Sequence, residues 1–527
     1  IIWLQGIWLP LHGYNFEDTP LWAGIYLLPL TIAFLVAGPI SGAMWIILWR
    51  LVQGVGAAML FANSTAILTD AFPVERRGMA LGINQVAAIA GSFIGLILGG
   101  LLSEVDWRLV FFVSVPIGIV GTIWSYVSLR ELSERQTDAK IDWWGNVLFG
   151  VGLTALLAGI TYGIQPYGGH TMGWTNPKVL AGLIGGTAVL VAFGVIESKV
   201  AEPMFPLKLF RSATFSGGNA ATLLGSIARG GLQFMLIIWL QGIWLPLHGY
   251  SFANTPLWAG IYMLPLTVGF LIAGPASGAV SDRFGARAFA TGGLLLTAVT
   301  FVGLILLPAN FDYGLFATLL AVNGIGMGLM AAPNSAAIMN AVPASQRGAA
   351  SGIRATGMNA GMVLSMGGFF TLMAVGLASR LPSALSSGLV SAGVSPAAAD
   401  AASHVSPVGT LFAAFLGDNP IKQLVPNPGP GADTAQIYGR TFFPNVISGP
   451  FMHGLLIAFS ASILMLLLAA GASLMRGGRY IHADADGSVH HDSVVEAIAR
   501  EGDALAVPAV PDEEVAYDEA VTGRGSR

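Results

Sequence analysis

The sequence predicts an all-α protein whose helices cross a lipid bilayer many times. Of 527 residues, 54% are hydrophobic and only 10% are charged, whereas soluble domains carry about 25% charged residues. Apolar runs recur along the chain, and each reaches the roughly 20 residues that cross a hydrocarbon core about 30 Å thick. These runs lack the short alternating pattern of a transmembrane barrel, so helices are the expected spanning elements.

Hydropathy divides the chain into a series of predicted spans. They lie at 20–44, 46–70, 79–102, 108–129, 143–164, 178–197, 214–241, 256–280, 286–307, 313–339, 349–376 and 448–474, with a partial span at 1–11. Arginine and lysine concentrate in alternate loops, for example at Arg76 and Arg77, Arg283 and Arg287, and Arg476. The positive-inside rule makes these loops and the C-terminus cytoplasmic. We therefore expect a multi-pass protein of the cell inner (plasma) membrane.

Composition also separates two segments from the spans. Residues 377–447 are rich in Ala, Ser, Pro and Gly, which predicts short helices and turns forming a partly ordered external cap. Residues 476–527 are polar and acidic, which predicts a disordered cytosolic tail. The chain has no cysteine and no phosphate-binding loop, so it predicts no disulfide, no metal site, no cofactor and no ATPase activity.

The first 44 residues duplicate a later part of the chain. Residues 1–44 repeat 237–280 almost letter for letter, and the copy stops just before the charged turn that follows the original. Charges after span 46–70 require span 20–44 to run from inside to outside, whereas its twin 256–280 runs the other way. We interpret residues 1–44 as a splice or fusion that replaces part of a longer N-terminal region.

The short charged turn within 274–287 is the feature around which the chain is organised. Asp282, Arg283 and Arg287 follow Gly278 at +4, +5 and +9, and Gly285 lies between them. The two glycines allow helix ends to approach closely and turn sharply. The charged groups then either latch neighbouring helix ends as a cytoplasmic gate or serve only to set topology.

Two further patterns lie in the predicted spans 46–70 and 79–102. Arg50, Gln53 and Gly54 share one helix face, and Arg50 is interpreted either as a group that tunes or relays a proton or as an arginine that snorkels to the interface. A second set forms a small-residue stripe that allows backbone-to-backbone packing: Gly91, Gly95, Gly99 and Gly100.

These motifs together resemble the major facilitator superfamily, and in particular its fourteen-helix drug:proton antiporters. The turn matches the loop signature G-x-x-x-D-R-x-G-x-R, and R-x-x-Q-G-x-G-A-A at 50–58 is similar to a fourth-helix antiporter motif. The glycine stripe is similar to the fifth-helix motif, with Leu96 where that motif has proline. Further landmarks are DWRLVFFVSVPIGI at 106–119, EPMFPLKLF at 202–210 and IRATGMNAG at 353–361.

The resemblance implies two helical bundles facing a central cavity, with two linker helices between them. The expected units are the duplicated segment 1–44, the rest of an incomplete N-terminal bundle at 45–130, the linker pair at 131–213, the C-terminal six-helix bundle at 214–475 and the tail 476–527. Polar residues in the spans are candidates for the cavity lining or, equally, for hydrogen bonds between helices: Asn84, Gln85, Asn219, Arg229, Gln233, Asn323 and Arg354.

The implied function is secondary active transport: proton-coupled efflux of drugs or other amphipathic small molecules, without catalysis. The expected partners are a small-molecule substrate, protons, the bilayer and a periplasmic adaptor protein, with no nucleic acid. Between about residues 46 and 475 no Asp or Glu lies in the middle of a span, although a proton-coupled exporter needs a titratable group. A chimeric membrane protein without coupled transport, and a solute uptake transporter, therefore stay open as alternatives.

Overall fold

The computed structural model describes most of the chain after the duplicated segment. The described residues are 52–54, 56–57, 60, 64–69, 71–73, 76–106, 108–128, 142–165, 167–168, 172–200, 203–251, 254–343, 346–405, 407–416, 419–429 and 431–476. The predictions for residues 1–44, for Arg50 and for the tail after Arg476 therefore lie outside the described residues.

Ten long helices form the described architecture. They are α1 (Arg77–Val105), α2 (Ser114–Ser128), α3 (Trp143–Gly163), α4 (Pro177–Glu197), α5 (Ala213–Trp239), α6 (Leu264–Phe284), α7 (Ala286–Ile305), α8 (Tyr313–Asn340), α9 (Arg347–Ala378) and α10 (Phe442–Leu474). A π-helical turn at Leu240–Trp244 and a short helix at Leu245–Leu247 extend α5. The helix Thr255–Tyr262 leads into α6.

The predicted all-α membrane fold is confirmed. Eight helices of the described residues are long and apolar enough to cross a membrane. Their bounds follow the hydropathy pattern closely, as for α3 against the predicted span 143–164 and α8 against 313–339. Span 46–70 is described only in part.

Local chemistry sets several of these helix ends. The Asp142 carboxylate accepts from the backbone N–H of Gly145 at 2.8 Å before α3, and Asp312 accepts from Leu315 at 3.1 Å before α8. Each cap satisfies an N–H that has no partner within its own helix. At the other end of α6, Gly285 has a φ of 89°, which ends the helix sharply.

The helices from α5 to α10 pack around one core. Helix α8 lies against α6 and α7, and α5 lies against α9 and α10. An aromatic cluster closes the end of this bundle away from Asp282: the Trp239 and Trp244 indole N–H groups donate to the Ala309 and Phe311 carbonyls, both at 3.0 Å. Buried indole rings of this kind hold the helix ends at a fixed spacing.

The segment between α9 and α10 contains the short helices predicted for it. They are Leu381–Ser391, Pro396–Ser403, Pro407–Leu416, Ile421–Leu424 and Thr434–Ile437. Leu381, Leu385 and Leu389 are fully buried in the same core as the long helices. This segment is therefore packed structure at the end of the bundle opposite Asp282.

Candidate functional site

Asp282 joins the end of α6 to the start of α1. Its carboxylate accepts hydrogen bonds from the backbone N–H groups of Gly78 at 3.0 Å and Met79 at 3.3 Å. Helix α1 has no side-chain cap of its own and no acidic residue in its first turn. The N-terminus of a helix favours a nearby negative charge. For α1 this charge comes from Asp282, which lies 204 residues later in the chain than Gly78.

Glycines make this contact possible, because the two backbones touch where the helices cross. A Cβ added at Gly78 would lie 2.6 Å from the Gly278 carbonyl oxygen, and one added at Gly278 would collide with the Gly78 carbonyl. One turn further on, a Cβ at Gly82 would lie 2.8 Å from the carbonyl oxygen of Gly274. Small residues at both levels let α1 and α6 approach backbone to backbone.

Arg77 makes a second connection at the same end of the molecule. Its Nε donates to the Thr69 carbonyl at 2.8 Å and to the Phe72 carbonyl at 3.1 Å. Its Nη1 donates to the Asn340 side-chain oxygen at 3.0 Å, at the end of α8. The start of α1 is therefore tied to α6 through Asp282 and to α8 through Arg77.

The other residues of the predicted gating turn do not reach this junction. Arg283 and Arg287 are exposed, and no hydrogen bond or ion pair to another described residue is found for either. Arg283 follows Asp282 directly, so it projects about 100° further around the helix. The latch seen in the described residues is formed by the acid, with Gly278 at the crossing and Gly285 at the turn.

Behind the junction, a cavity of about 50 Å³ lies between α1 and the bundle formed by α5 to α10. Its lining contains both polar and apolar residues: Gln85, Thr222, Gly225, Ser226, Arg229, Phe270, Met327, Met330, Ala331, Asn334, Ser335, Arg354 and Met358. Only Gln85 comes from α1. Methionine and phenylalanine with a few polar groups are typical of small-molecule sites.

Two arginines reach this cavity. Arg354 is only 6% exposed, and its Nη2 donates to the Ser335 hydroxyl at 2.5 Å. The Arg229 guanidinium lies 5.6 Å from the centre of the Phe270 ring, within the range of a cation–π contact. No acidic residue is among the described residues that line the cavity.

Asn334 connects the cavity wall to the end of α10. Its side-chain nitrogen donates to the Thr222 hydroxyl at 2.8 Å and to the Gly218 carbonyl at 3.2 Å, and its oxygen accepts from Arg476. Arg476 lies just beyond α10 and is 3% exposed. Burial lowers the pKa of its guanidinium to about 10, since desolvation disfavours the charged form.

The other predicted cavity residues lie elsewhere. Asn219 donates to the Phe215 carbonyl of its own helix at 2.9 Å, and Asn323 donates to the Thr300 hydroxyl at 2.7 Å between α7 and α8. Asn84 accepts from Ser64 at 3.1 Å. Gln233 is exposed. Of the seven candidates, Gln85, Arg229 and Arg354 line the described cavity.

The two motifs of the earlier spans are described only in part. Gln53 is half-buried and Gly54 is exposed. In the glycine stripe, Gly91 and Gly95 lie on an exposed part of α1, and nothing would contact an added Cβ at either position. Gly99 and Gly100 belong to the same helix. No packing partner for this stripe is found among the described residues.

The sequence reasoning missed several residues of the site. Gly78 and Gly82 repeat the four-residue spacing of Gly274 and Gly278, and that shared spacing is a signal for a helix crossing. Arg77 is a charged group at the start of a span, which also marks a structural or functional position. Ser335, Met358 and Thr222 carry no local signal that distinguishes them from other helix residues.

Comparison with known proteins establishes the family. The family model described as Major Facilitator Superfamily matches residues 16–366 and 222–478. The chain belongs to this superfamily. The prediction of a facilitator-superfamily chain is confirmed, and the family makes this protein a transporter rather than an enzyme.

Individual relatives include two proteins that are named for resistance. The tetracenomycin C resistance and export protein of Streptomyces glaucescens is 28% identical over 81% of this chain and 74% of its own length. The methylenomycin A resistance protein of Streptomyces coelicolor is 29% identical over 55% of this chain and 58% of its own length. The chain thus spans about three quarters of the first relative and under two thirds of the second.

One solved structure aligns along most of the chain at low similarity. It is a bacterial homologue of the human lysosomal transporter Spinster, with 14% identity, 90% coverage of this chain, 87% coverage of that chain and a TM-score of 0.40.

Proposed function

We propose that this facilitator-superfamily transporter exports amphipathic small molecules from the cytoplasm in exchange for protons. The observation that carries the proposal is the cavity between α1 and the second bundle, where Phe270, Met327 and Met330 face Gln85 and Arg354. Flexible thioether side chains beside a few polar groups suit substrates of varied shape. Export is also part of the name of one relative, the tetracenomycin C resistance and export protein, and a second relative is named a methylenomycin A resistance protein.

In this proposal the Asp282 junction is the gate on the cytoplasmic side. It closes the end of the cavity at which the loop charges predict the cytoplasm. Rocking of one bundle against the other about a central site requires that such helix-end contacts form in one state and break in the other. The Asp282 carboxylate and the N-terminus of α1 form a contact of this kind, since both partners can be hydrated when they separate.

The arginines of the cavity tune coupling in this scheme without carrying the proton. Arginine scarcely deprotonates in proteins, so Arg229 and Arg354 act by raising the local positive potential. The sequence motif assigns Arg50 to the same class of role, and the Arg50→Ala substitution should therefore uncouple flux from the proton gradient. The predicted location in the inner membrane and the cytoplasmic C-terminus belong to this proposal.

A transport measurement tests the proposal directly. The purified full chain is reconstituted into proteoliposomes, a pH gradient is imposed, and the flux of a fluorescent dye panel is followed together with internal pH. The expected result is dye movement opposite to proton movement that stops when a protonophore is added. Normal insertion without gradient-dependent flux would instead support a membrane protein that lacks coupled transport.

The direction of dye movement relative to the orientation of the protein in the vesicle membrane distinguishes export from uptake. Dye that moves from the C-terminal side to the opposite side, against proton flow, supports export. Flux in the reverse direction under the same gradient would support a solute uptake transporter.

A further inference from the structure

Three arginines lie at or next to the cavity. Arg229 and Arg354 line it directly, and Arg476 bonds to Asn334, another lining residue. Arg354 and Arg476 are 6% and 3% exposed. The Nε atom of Arg354, and the Nε and Nη1 atoms of Arg476, are buried without a hydrogen-bond partner.

The described contacts of these arginines are neutral. Arg354 reaches a serine hydroxyl, Arg476 reaches an amide oxygen, and Arg229 lies over an aromatic ring. A guanidinium removed from water loses hydration that neutral partners replace only in part, and an anion compensates best. No acid is among the described residues that line the cavity, and the Asp282 carboxylate at the neighbouring junction accepts from the start of α1.

We propose that the cavity binds an amphipathic organic anion, whose carboxylate, sulfonate or phosphate group is held by Arg229 and Arg354. The apolar part of the ligand then packs on Phe270, Met330 and Met358. This inference rests on the proposed transport function and names the chemical class of its substrate. A volume of about 50 Å³ admits the head group, and the apolar part enters when the Asp282 junction opens.

Gln85 adds a residue of α1 to a site that otherwise belongs to the bundle formed by α5 to α10. It belongs to α1, whereas the arginines belong to α5 and α9. An anion that bonds to the arginines and to the Gln85 side-chain NH₂ would draw α1 towards the second bundle. Substrate binding would thereby favour the approach of α1 to this bundle, which also contains α6, the helix that Asp282 joins to α1.

The test uses three pyrene probes that differ in one terminal group: pyrenebutyrate (anion), pyrenebutanol (neutral) and pyrenebutylamine (cation). Binding to the purified full chain in phosphatidylcholine nanodiscs is measured without a gradient by energy transfer from tryptophan. We expect pyrenebutyrate to bind at least about tenfold more tightly than pyrenebutylamine, because hydrogen bonds to charged groups contribute more than neutral ones. Equal or tighter binding of the amine would overturn the proposal.

Matched variants assign the effect to the arginines. Arg229→Gln and Arg354→Gln should each weaken pyrenebutyrate about tenfold and leave pyrenebutanol unchanged, and Arg229→Lys should restore part of the preference. The control is Arg380→Gln, which removes the same charge from an exposed position just beyond the end of α9 that lies away from Arg354. Gln variants that remain folded by gel filtration and bind pyrenebutyrate like the wild type would overturn the assignment.

A lipid head group shares this chemistry and is distinguished by the nanodisc composition. If pyrenebutyrate affinity is the same with and without phosphatidylglycerol, the site belongs to a soluble amphipathic anion. Competitive displacement by phosphatidylglycerol would assign the arginines to a lipid and overturn the substrate inference. Because no gradient is used, charge-selective binding without coupled flux separates this inference from the proposed export function.

Discussion

Replacing Asp282 with alanine is expected to loosen the crossing between α1 and α6. The substitution removes both hydrogen bonds to the start of α1, at Gly78 and Met79. It also removes the negative charge that faces the N-terminal end of that helix. The state in which the two helices touch should therefore lose population to states in which they are apart.

The contacts themselves give the size of the effect. A hydrogen bond to a charged group contributes about 1.5–3 kcal/mol net. The bonds here measure 3.0 and 3.3 Å and Asp282 is only half-buried, so water replaces part of the interaction and we take about 2 kcal/mol for the pair. That energy corresponds to about a 30-fold change in the ratio of closed to open molecules. Asp282→Asn keeps one acceptor oxygen and should cost about 1 kcal/mol, or about fivefold.

The chain allows a direct measurement because it contains no cysteine. Cysteines introduced at the exposed positions Arg76 and Phe284 accept a pair of spin labels next to the junction. Pulsed dipolar spectroscopy then reports the distribution of distances between α1 and α6. We expect the population with longer distances to be smallest in the labelled protein that keeps Asp282, larger with Asp282→Asn and largest with Asp282→Ala.

Asp312 provides the matched control. Its carboxylate also accepts from a helix N-terminus, but the helix is its own and the bond is local. Asp312→Asn should therefore leave the label distances unchanged while removing an equal charge. An unchanged distribution in Asp282→Ala, or the same shift in Asp312→Asn, would refute the reasoning that Asp282 holds the two helices together.

Two stability predictions follow from close contacts. Gly278→Ala places a Cβ against the Gly78 carbonyl, so it should cost about 1–3 kcal/mol of stability and lower the melting temperature. Gly292→Ala is the control, because its Cβ lies in open space and the melting temperature should not fall. Equal melting temperatures for the two variants would contradict this prediction. Glu197 is 1% exposed and accepts from the Phe205 N–H. Glu197→Ala should cost about 1–3 kcal/mol, and Glu197→Gln, which keeps an acceptor, should melt clearly above it in the same thermal assay.

The sequence by itself determined which segments are helices and where most of them end. Hydrophobic runs long enough for the bilayer are local properties of the chain, so the predicted bounds of α3, α7 and α8 agree with the structure to within a few residues. The charged turn after Gly278 was also visible in the sequence, because a glycine, an acid and two arginines interrupt an apolar run. The family follows from the order of such motifs along the chain.

Only the tertiary structure decided what these residues touch. Polar residues within the apolar spans cannot be told apart by their sequence context. In the structure, Asn219 bonds within its own helix, Asn323 bonds to a neighbouring helix and Arg354 lines the cavity. Their roles depend on the rotation of each helix about its axis, which packing sets and hydropathy does not record. The partner of Asp282 is likewise set by packing, since it comes from a helix 204 residues earlier that approaches only because glycines occupy both sides of the crossing.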